Sequence, residues 1–209
     1  MIRSIVTFLI LMFTFCAYAQ KGSIDLKKIK KEIFKKDSNY NIDKLTFKYQ
    51  GLPKSLDSLD SQYLYYARNF QSNVINTNDQ DFVDLAENFR SKNYSSVVSR
   101  AKNLLAKDPT NLDILMIVIQ SCEALEDSKN FTHYLLQFRA LTKAIIDSGN
   151  GKTEETPYLV NSVGDEYILL NISRWPQESI RSSKAVKGGM LDVWDDNGKK
   201  IYIKVIYND

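Results

Sequence analysis

The hydrophobic pattern is densest between Leu112 and Glu126, where apolar residues occupy every side of a helical wheel. At the rise of an α-helix this stretch is roughly 22 Å long, too short to cross a bilayer. Asn111 supplies an N-cap, and Pro109 stops the preceding helix. The pattern predicts a core helix with no solvent face, buried in the middle of a larger structure.

Apolar residues at helical spacing also occur on both sides of this core helix. One stripe runs from Phe82 to Phe89, and a second runs from Tyr94 to Leu105 after a short turn. Beyond the core helix, Phe131 to Ile146 predicts a further helix. These helices resemble two tetratricopeptide-like antiparallel pairs. Two such repeats are too few to be stable unless the neighbouring segments cap them.

Shorter segments precede these pairs. Ile24 to Lys36 predicts an amphipathic helix, because its apolar residues recur at helical spacing and lysines cover the rest. We favour a solvated lysine face over contact with an anionic surface. Ser61 to Ser72 concentrates tyrosines, which we interpret as core residues with hydroxyls at its edge rather than as a ligand platform. Leu45 to Tyr49 is too short to assign.

After Gly149 the apolar spacing changes from helical to alternating. Tyr158–Val163 and Tyr167–Ile172 predict short strands, although the second stretch also fits a helix. Alternation of apolar and polar residues from Leu191 to Val193 and from Ile201 to Val205 predicts a hairpin around an Asp-Asn-Gly turn.

The predicted fold class is therefore α+β, with tetratricopeptide-like antiparallel helical pairs followed by a small C-terminal antiparallel β-sheet. We expect one domain over residues 20–209, helical over 20–148 and β-rich over 149–209. That length is sufficient for a sizeable core.

The first 19 residues predict a signal peptide. Arg3 provides the positive start, Ile5 to Phe15 is almost wholly apolar, and Ala17-Tyr18-Ala19 has small residues where signal peptidase requires them. We therefore expect cleavage before Gln20 and a periplasmic or secreted protein. Lipid attachment at Cys16 is disfavoured by the bulky residue before it.

The net charge and the number of cysteines exclude some classes of function. The formal charge of +3 falls to +2 when Arg3 is removed, and this near balance argues against a nucleic-acid partner. Cys122 is then the only cysteine, so the mature chain cannot form an intramolecular disulfide. Its place on the core helix predicts a buried apolar residue rather than a reactive thiol.

Three motifs that suggest a ligand have simpler explanations. Gly151-Lys152-Thr153 lacks the first glycine of a phosphate-binding loop and follows a helix instead of a strand. His133 is the only histidine and has no ligand partners at a suitable spacing. Asp195 to Gly198 lacks the frame of a calcium loop and fits a hairpin turn. We predict no metal and no cofactor.

Adjacent carboxylates at Asp165 and Glu166 are the basis of an enzyme alternative. Together with Tyr158 and Tyr167 they could perform the acid–base chemistry of a hydrolase. This requires the two side chains to converge in one pocket, whereas neighbours on a strand point to opposite faces.

The stretch Gly149–Leu170, together with residues 24–33, 64–66, 191–193 and 198–202, resembles a family of exported bacterial proteins catalogued as domain of unknown function 4919. The resemblance implies a signal peptide, one domain and no assigned activity. Where that family often has Phe-His-Val, this chain has Tyr158-Leu159-Val160. The family's histidine is thus replaced by Leu159, which makes it a poor candidate for a catalytic residue in this protein.

These observations favour a non-catalytic exported module that binds a protein or peptide partner. Repeats of helical pairs usually bind on the concave side lined by their first helices, where Asn88, Arg90 and Gln120 are the polar candidates. A hydrolase, and attachment to an anionic surface through the lysine-rich helix, remain alternatives. The sequence does not indicate the oligomeric state.

Overall fold

The computed structural model describes residues 24–207 of the 209-residue chain, so the predicted signal peptide lies outside the described residues. Within this range, seven α-helices precede the first strand and an eighth follows it. Their bounds are α1 (Leu26–Ile33), α2 (Ile42–Gly51), α3 (Ser58–Ala67), α4 (Gln80–Arg90), α5 (Tyr94–Lys107), α6 (Leu112–Ala124), α7 (Ser128–Ser148) and α8 (Val163–Ile172).

Four strands form one sheet in the order β1-β4-β3-β2. They are β1 (Tyr158–Val160), β2 (Ile180–Val186), β3 (Gly189–Asp196) and β4 (Lys199–Ile206). Strand β1 runs parallel to β4, and the other two pairs are antiparallel. The predicted hairpin is β3–β4, and its turn residues Asn197 and Gly198 have φ values of 51° and 90°, as a type I′ turn requires. The α+β prediction is confirmed.

Helix α6 is the predicted core helix, with one correction. Leu115, Val118 and Cys122 are fully buried, and the side chain of Asn111 caps the helix by accepting from the Ile114 N–H at 3.1 Å. The expectation that α6 has no solvent face is wrong, because Gln120 is exposed. The helix contacts α5 and α7 through its buried sides and also contacts α4 and α8.

The N-terminal helices pack on α3. Helix α1 buries Ile29 and Ile33, and α2 buries Leu45 and Tyr49, so the segment that the sequence left unassigned is a helix. Two inward residues are too few to establish a period. The tyrosines of α3 are buried core residues, as the sequence interpretation favoured.

The stretch Tyr167–Ile172, for which the sequence left both a strand and a helix open, belongs to helix α8. Ser162 caps α8 through a bond from the Asp165 N–H at 3.1 Å. The apolar residues from Ile168 to Leu170 are consecutive and all buried. Consecutive burial in a run of ten residues is compatible with a helix packed on several sides, and the cap determines where it begins.

The register of the hairpin brings an aspartate of β3 to the core face of the sheet. Trp194 pairs with Ile201 and Asp192 pairs with Ile203, and directly paired residues share a face. Asp192 and Trp194 therefore lie on the core face, whereas Leu191 and Val193 lie on the other face, where Leu191 is also buried. Alternation of apolar residues does not reveal a buried aspartate.

Within residues 24–207, no helix combines the length and the apolar character needed to cross a membrane.

Candidate functional site

The N-terminus of α8 carries the two carboxylates singled out in the sequence. Asp165 and Glu166 both lie in its first turn, where the partial positive charge of the helix end favours carboxylates. Both are buried, at 3% and 0% exposure. Buried carboxylates require partners, and the partners of the two side chains differ.

Asp165 faces the helices. The hydroxyl of Tyr65, on α3, donates to Asp165 Oδ2 at 2.6 Å and accepts from the Asn161 N–H at 3.0 Å. The Asn161 side chain also donates to the Tyr65 carbonyl at 2.8 Å. Burial raises the pKa of Asp165 to about 6, although the Tyr65 hydrogen bond and the charge of Arg68 act in the opposite direction. This carboxyl group joins α3 to α8.

A second aspartate approaches the same helix end. Asp113, on α6, lies so close to Gly164 that a Cβ at that position would be 2.6 Å from Asp113 Oδ2. Burial raises the pKa of Asp113, and its negative charge contributes to the raised pKa of Asp165. Gly164 therefore leaves room for the Asp113 carboxylate beside the first turn of α8.

Arg68 and Asp108 form a buried ion pair near this group. Arg68 Nη2 donates to Asp108 Oδ2 at 2.9 Å and to the Ile75 carbonyl at 3.1 Å, and Asp108 also accepts from the Asn111 amide at 3.0 Å. The pair thus joins α3 to the corner between α5 and α6. These contacts have a structural function.

Glu166 faces the sheet and forms a separate cluster with Arg181, Asp192 and Trp194. Trp194 Nε1 donates to Glu166 Oε1 at 2.5 Å, and Arg181 Nη2 donates to Glu166 Oε2 at 3.1 Å and to Asp192 Oδ2 at 2.8 Å. The Ser183 hydroxyl donates to the other oxygen of Asp192. We call these five residues the acid–arginine cluster.

The acid–arginine cluster contains two carboxyl groups but only one cationic group. Glu166 and Asp192 are both 0% exposed, and one guanidinium faces both. Burial raises the pKa of Glu166, and the charge of Asp192 adds to this effect, while the Trp194 hydrogen bond and Arg181 oppose it. Two ionised carboxylates beside one cation leave a buried negative charge, which disfavours the ionised form of Glu166.

The acid–arginine cluster reaches the surface at Arg181 and Tyr167. The Arg181 side chain is 28% exposed and its guanidinium lies 5.7 Å from the centre of the Trp194 ring. The Tyr167 ring packs edge-on against Trp194 with centroids 5.6 Å apart. Sequence reasoning missed Arg181, Asp192 and Trp194, because only the register of β3 brings them beside α8.

The structure separates the residues of the hydrolase alternative. Asp165 and Glu166 have no common hydrogen-bond partner among the described residues. Tyr158 packs against Gly151, where an added Cβ would meet its ring at 2.4 Å. Tyr167 lies beside Glu166 in the chain and against Trp194. The nearest hydroxyl to Asp165 is that of Tyr65, which the sequence had indicated only as part of an aromatic cluster.

The predicted binding residues lie on α4 and α6, which contact each other. Asn88 donates to the Asp84 carbonyl at 2.7 Å and accepts from the Asn93 side chain at 3.3 Å, so it stabilises the turn after α4. Arg90 and Gln120 are exposed. Within residues 24–207, no group of three or more His, Cys, Asp or Glu residues could hold a metal ion.

Comparison with known proteins identifies a family. The family described as Domain of unknown function (DUF4919) matches residues 27–207. This chain belongs to that family. No curated protein and no solved structure matches it. The DUF4919 match extends from α1 to the residue after β4, so it includes both the Asp165 contacts and the acid–arginine cluster.

Proposed function

We propose that this member of DUF4919 is a non-catalytic, exported module that binds a protein or peptide through α4 and α6. The observation that supports this most directly is an uncovered stripe on α6, the most apolar helix. Met116, Ile119, Gln120 and Glu123 follow each other at helical spacing; the first two are partly exposed and the last two are exposed.

The composition of this stripe suits an interface. Met116 and Ile119 pack partly against the core and leave apolar surface beside polar neighbours, as at many protein contact sites. Methionine adapts to different partner shapes. Arg90 on α4 and Gln120 supply hydrogen-bond donors at the edge. The proposed occupant is an apolar side chain on a peptide or on a protein segment.

The acidic residues give less support to a hydrolase. A catalytic acid or base must exchange its proton with a substrate. The Asp165 carboxylate instead accepts a hydrogen bond from Tyr65, and the Glu166 carboxylate accepts hydrogen bonds from Trp194 and Arg181. Their separate contacts also remove the shared pocket that the hydrolase alternative required. Each carboxylate instead joins α8 to another element.

Site-specific photo-crosslinking tests the binding proposal. A photoreactive residue at Gln120 should crosslink one protein or peptide in envelope extracts, and the same residue at the exposed Lys102 on α5 should not. Binding of that purified partner should then weaken at least tenfold in the double variant Met116→Ser, Ile119→Ser. Leu125→Ser, which truncates an exposed apolar residue directly after α6, should bind as the unmodified protein does.

Equal crosslinking at both positions, or unchanged affinity in the double variant, would contradict the proposal. Glu166→Gln distinguishes the alternative, since it should not affect partner binding. Turnover of a hydrolysable substrate that disappears in Glu166→Gln would instead support the enzyme.

A further inference from the structure

Positive charge is concentrated at the N-terminal end of the described chain. Residues 24–54 contain nine lysines and four acidic residues, a formal charge of +5. Residues 55–207 contain seventeen basic and twenty acidic residues, a formal charge of −3. The balanced total therefore conceals a strong asymmetry, which affects the partners that each surface attracts.

Hydrogen bonds hold the end of α1 and the start of α2 together as one corner. The Asn41 amide donates to the Ile33 carbonyl at 3.3 Å, and Lys44 Nζ donates to the Ser38 carbonyl at 3.1 Å. The Ser38 hydroxyl in turn donates to Glu32 at 2.7 Å. The lysines next to this corner are thus attached to a fixed backbone.

Two large aromatic side chains that lie close to this corner in the chain are exposed. Phe34 directly follows α1 and is 57% exposed, and Phe47 is 82% exposed. Phe47 lies one turn from Lys44 on the exposed side of α2, and Lys35 and Lys36 next to Phe34 are also exposed. We call these five residues, together with the exposed Lys31 one turn before Phe34, the basic corner.

We infer that the basic corner binds the surface of an anionic lipid bilayer, with the lysines near the head groups and the two phenylalanines inserted at the interface. Lysines beside exposed aromatic residues are typical of peripheral membrane attachment. This surface is separate from the α4–α6 face proposed for a protein partner.

Charge and exposed apolar area together favour a bilayer over nucleic acid. Lysines alone would suit either polyanion. Exposed phenylalanine rings are removed from water when they enter the interfacial region of a bilayer, which is favourable. The phosphate backbone of a nucleic-acid duplex offers them no apolar environment. Within residues 24–207, Lys31, Lys35 and Lys36 form no ion pair that would neutralise them.

Vesicle co-sedimentation of the chain from residue 20 to its end tests the inference. Vesicles with equal parts of phosphatidylglycerol and phosphatidylcholine should bind the protein, and pure phosphatidylcholine vesicles should not. Binding should decrease when the salt concentration increases, because ions screen the lysines. Lys31→Glu, Lys35→Glu, Lys36→Glu should reduce the partition coefficient at least about tenfold, since each lysine near the surface contributes on the order of fivefold.

Two matched controls separate local from general effects. Lys102→Glu, Lys152→Glu, Lys187→Glu changes the net charge equally at other exposed positions and should alter binding less than about twofold. Phe34→Ser, Phe47→Ser should weaken binding several-fold, whereas Leu125→Ser, Ile180→Ser, which truncates exposed apolar residues elsewhere, should have little effect.

Three outcomes would overturn the inference. They are absence of binding to the anionic vesicles, equal loss of binding in the two lysine triple variants, and tighter binding to duplex DNA or RNA than to the vesicles at the same salt concentration. Circular dichroism of each variant confirms that a loss of binding does not come from unfolding.

Discussion

Asp165 is a single residue whose environment should make stability depend on pH. Its pKa is raised from 3.8 to about 6, mainly by burial. As pH increases, the unfolded chain loses this proton first, so the folded state loses stability relative to the unfolded state between about pH 4 and pH 6. The contribution is therefore present below the unfolded pKa and is lost as pH rises through the folded pKa.

We expect Asp165→Asn to remove this dependence. Asparagine can still accept the Tyr65 hydrogen bond but does not ionise. The free energy of unfolding of the unmodified protein minus that of the variant should decrease on the order of 3 kcal/mol from pH 4 to pH 7, as measured by urea unfolding at each pH. Asp43→Asn, at an exposed position on α2, controls for the loss of one acid. A difference that stays constant with pH would contradict the prediction.

Strand β2 is the element whose attachment depends most on one side chain. It is an edge strand that pairs only with β3, and five of its seven residues are exposed. Arg181 is its contact with α8. Removing Arg181 would leave Glu166 and Asp192 buried without a cation, which is strongly unfavourable.

Arg181→Met should therefore destabilise the protein by about 3 kcal/mol and accelerate hydrogen exchange of the β2 amides. Lys184→Met is the matched control on the same strand, since its ion pair with Glu154 is exposed on both sides and should contribute less than about 1 kcal/mol. Glu166→Gln in the Arg181→Met background should restore part of the loss. Unchanged exchange of β2 in Arg181→Met would show that the strand pairing alone holds β2.

The elements that sequence could predict are those with a clear period. The apolar density of α6, the stripes of α4, α5 and α7, and the turn of the β3–β4 hairpin all gave correct elements, because burial and turn geometry act locally. The inward position of Asp192 and the partners of Glu166 could not be predicted, since they depend on how β3 packs against α8, with Trp194 lying 28 positions after Glu166. Local pattern contains no information on that pairing.

At the scale of the whole molecule, the helical and β-rich parts are joined by buried polar contacts. The Tyr66 hydroxyl donates to the Leu159 carbonyl at 3.0 Å, and the Leu159 N–H donates to the Ser148 hydroxyl at 2.9 Å. The Tyr65–Asp165 bond lies beside them. Strand β1 is therefore fixed to α3 and α7 on one side and pairs with β4 on the other. The parallel β1–β4 pair was also unpredictable from sequence, because no turn connects the two strands.

These contacts lead us to expect one cooperative unfolding transition, which would test the prediction of a single domain. Both tryptophans of the chain, Trp175 and Trp194, lie in the β-rich part, so their fluorescence reports on that part, while circular dichroism at 222 nm reports mainly on the helices. The two signals should change at the same urea concentration. Tyr65→Phe removes the hydroxyl and leaves Asp165 without that donor, so both transitions should move together to lower urea. Two separate midpoints, or a shift of the fluorescence transition alone, would mean that residues 149–207 unfold independently of the helices and that the buried contacts of Tyr65 do not couple the two parts.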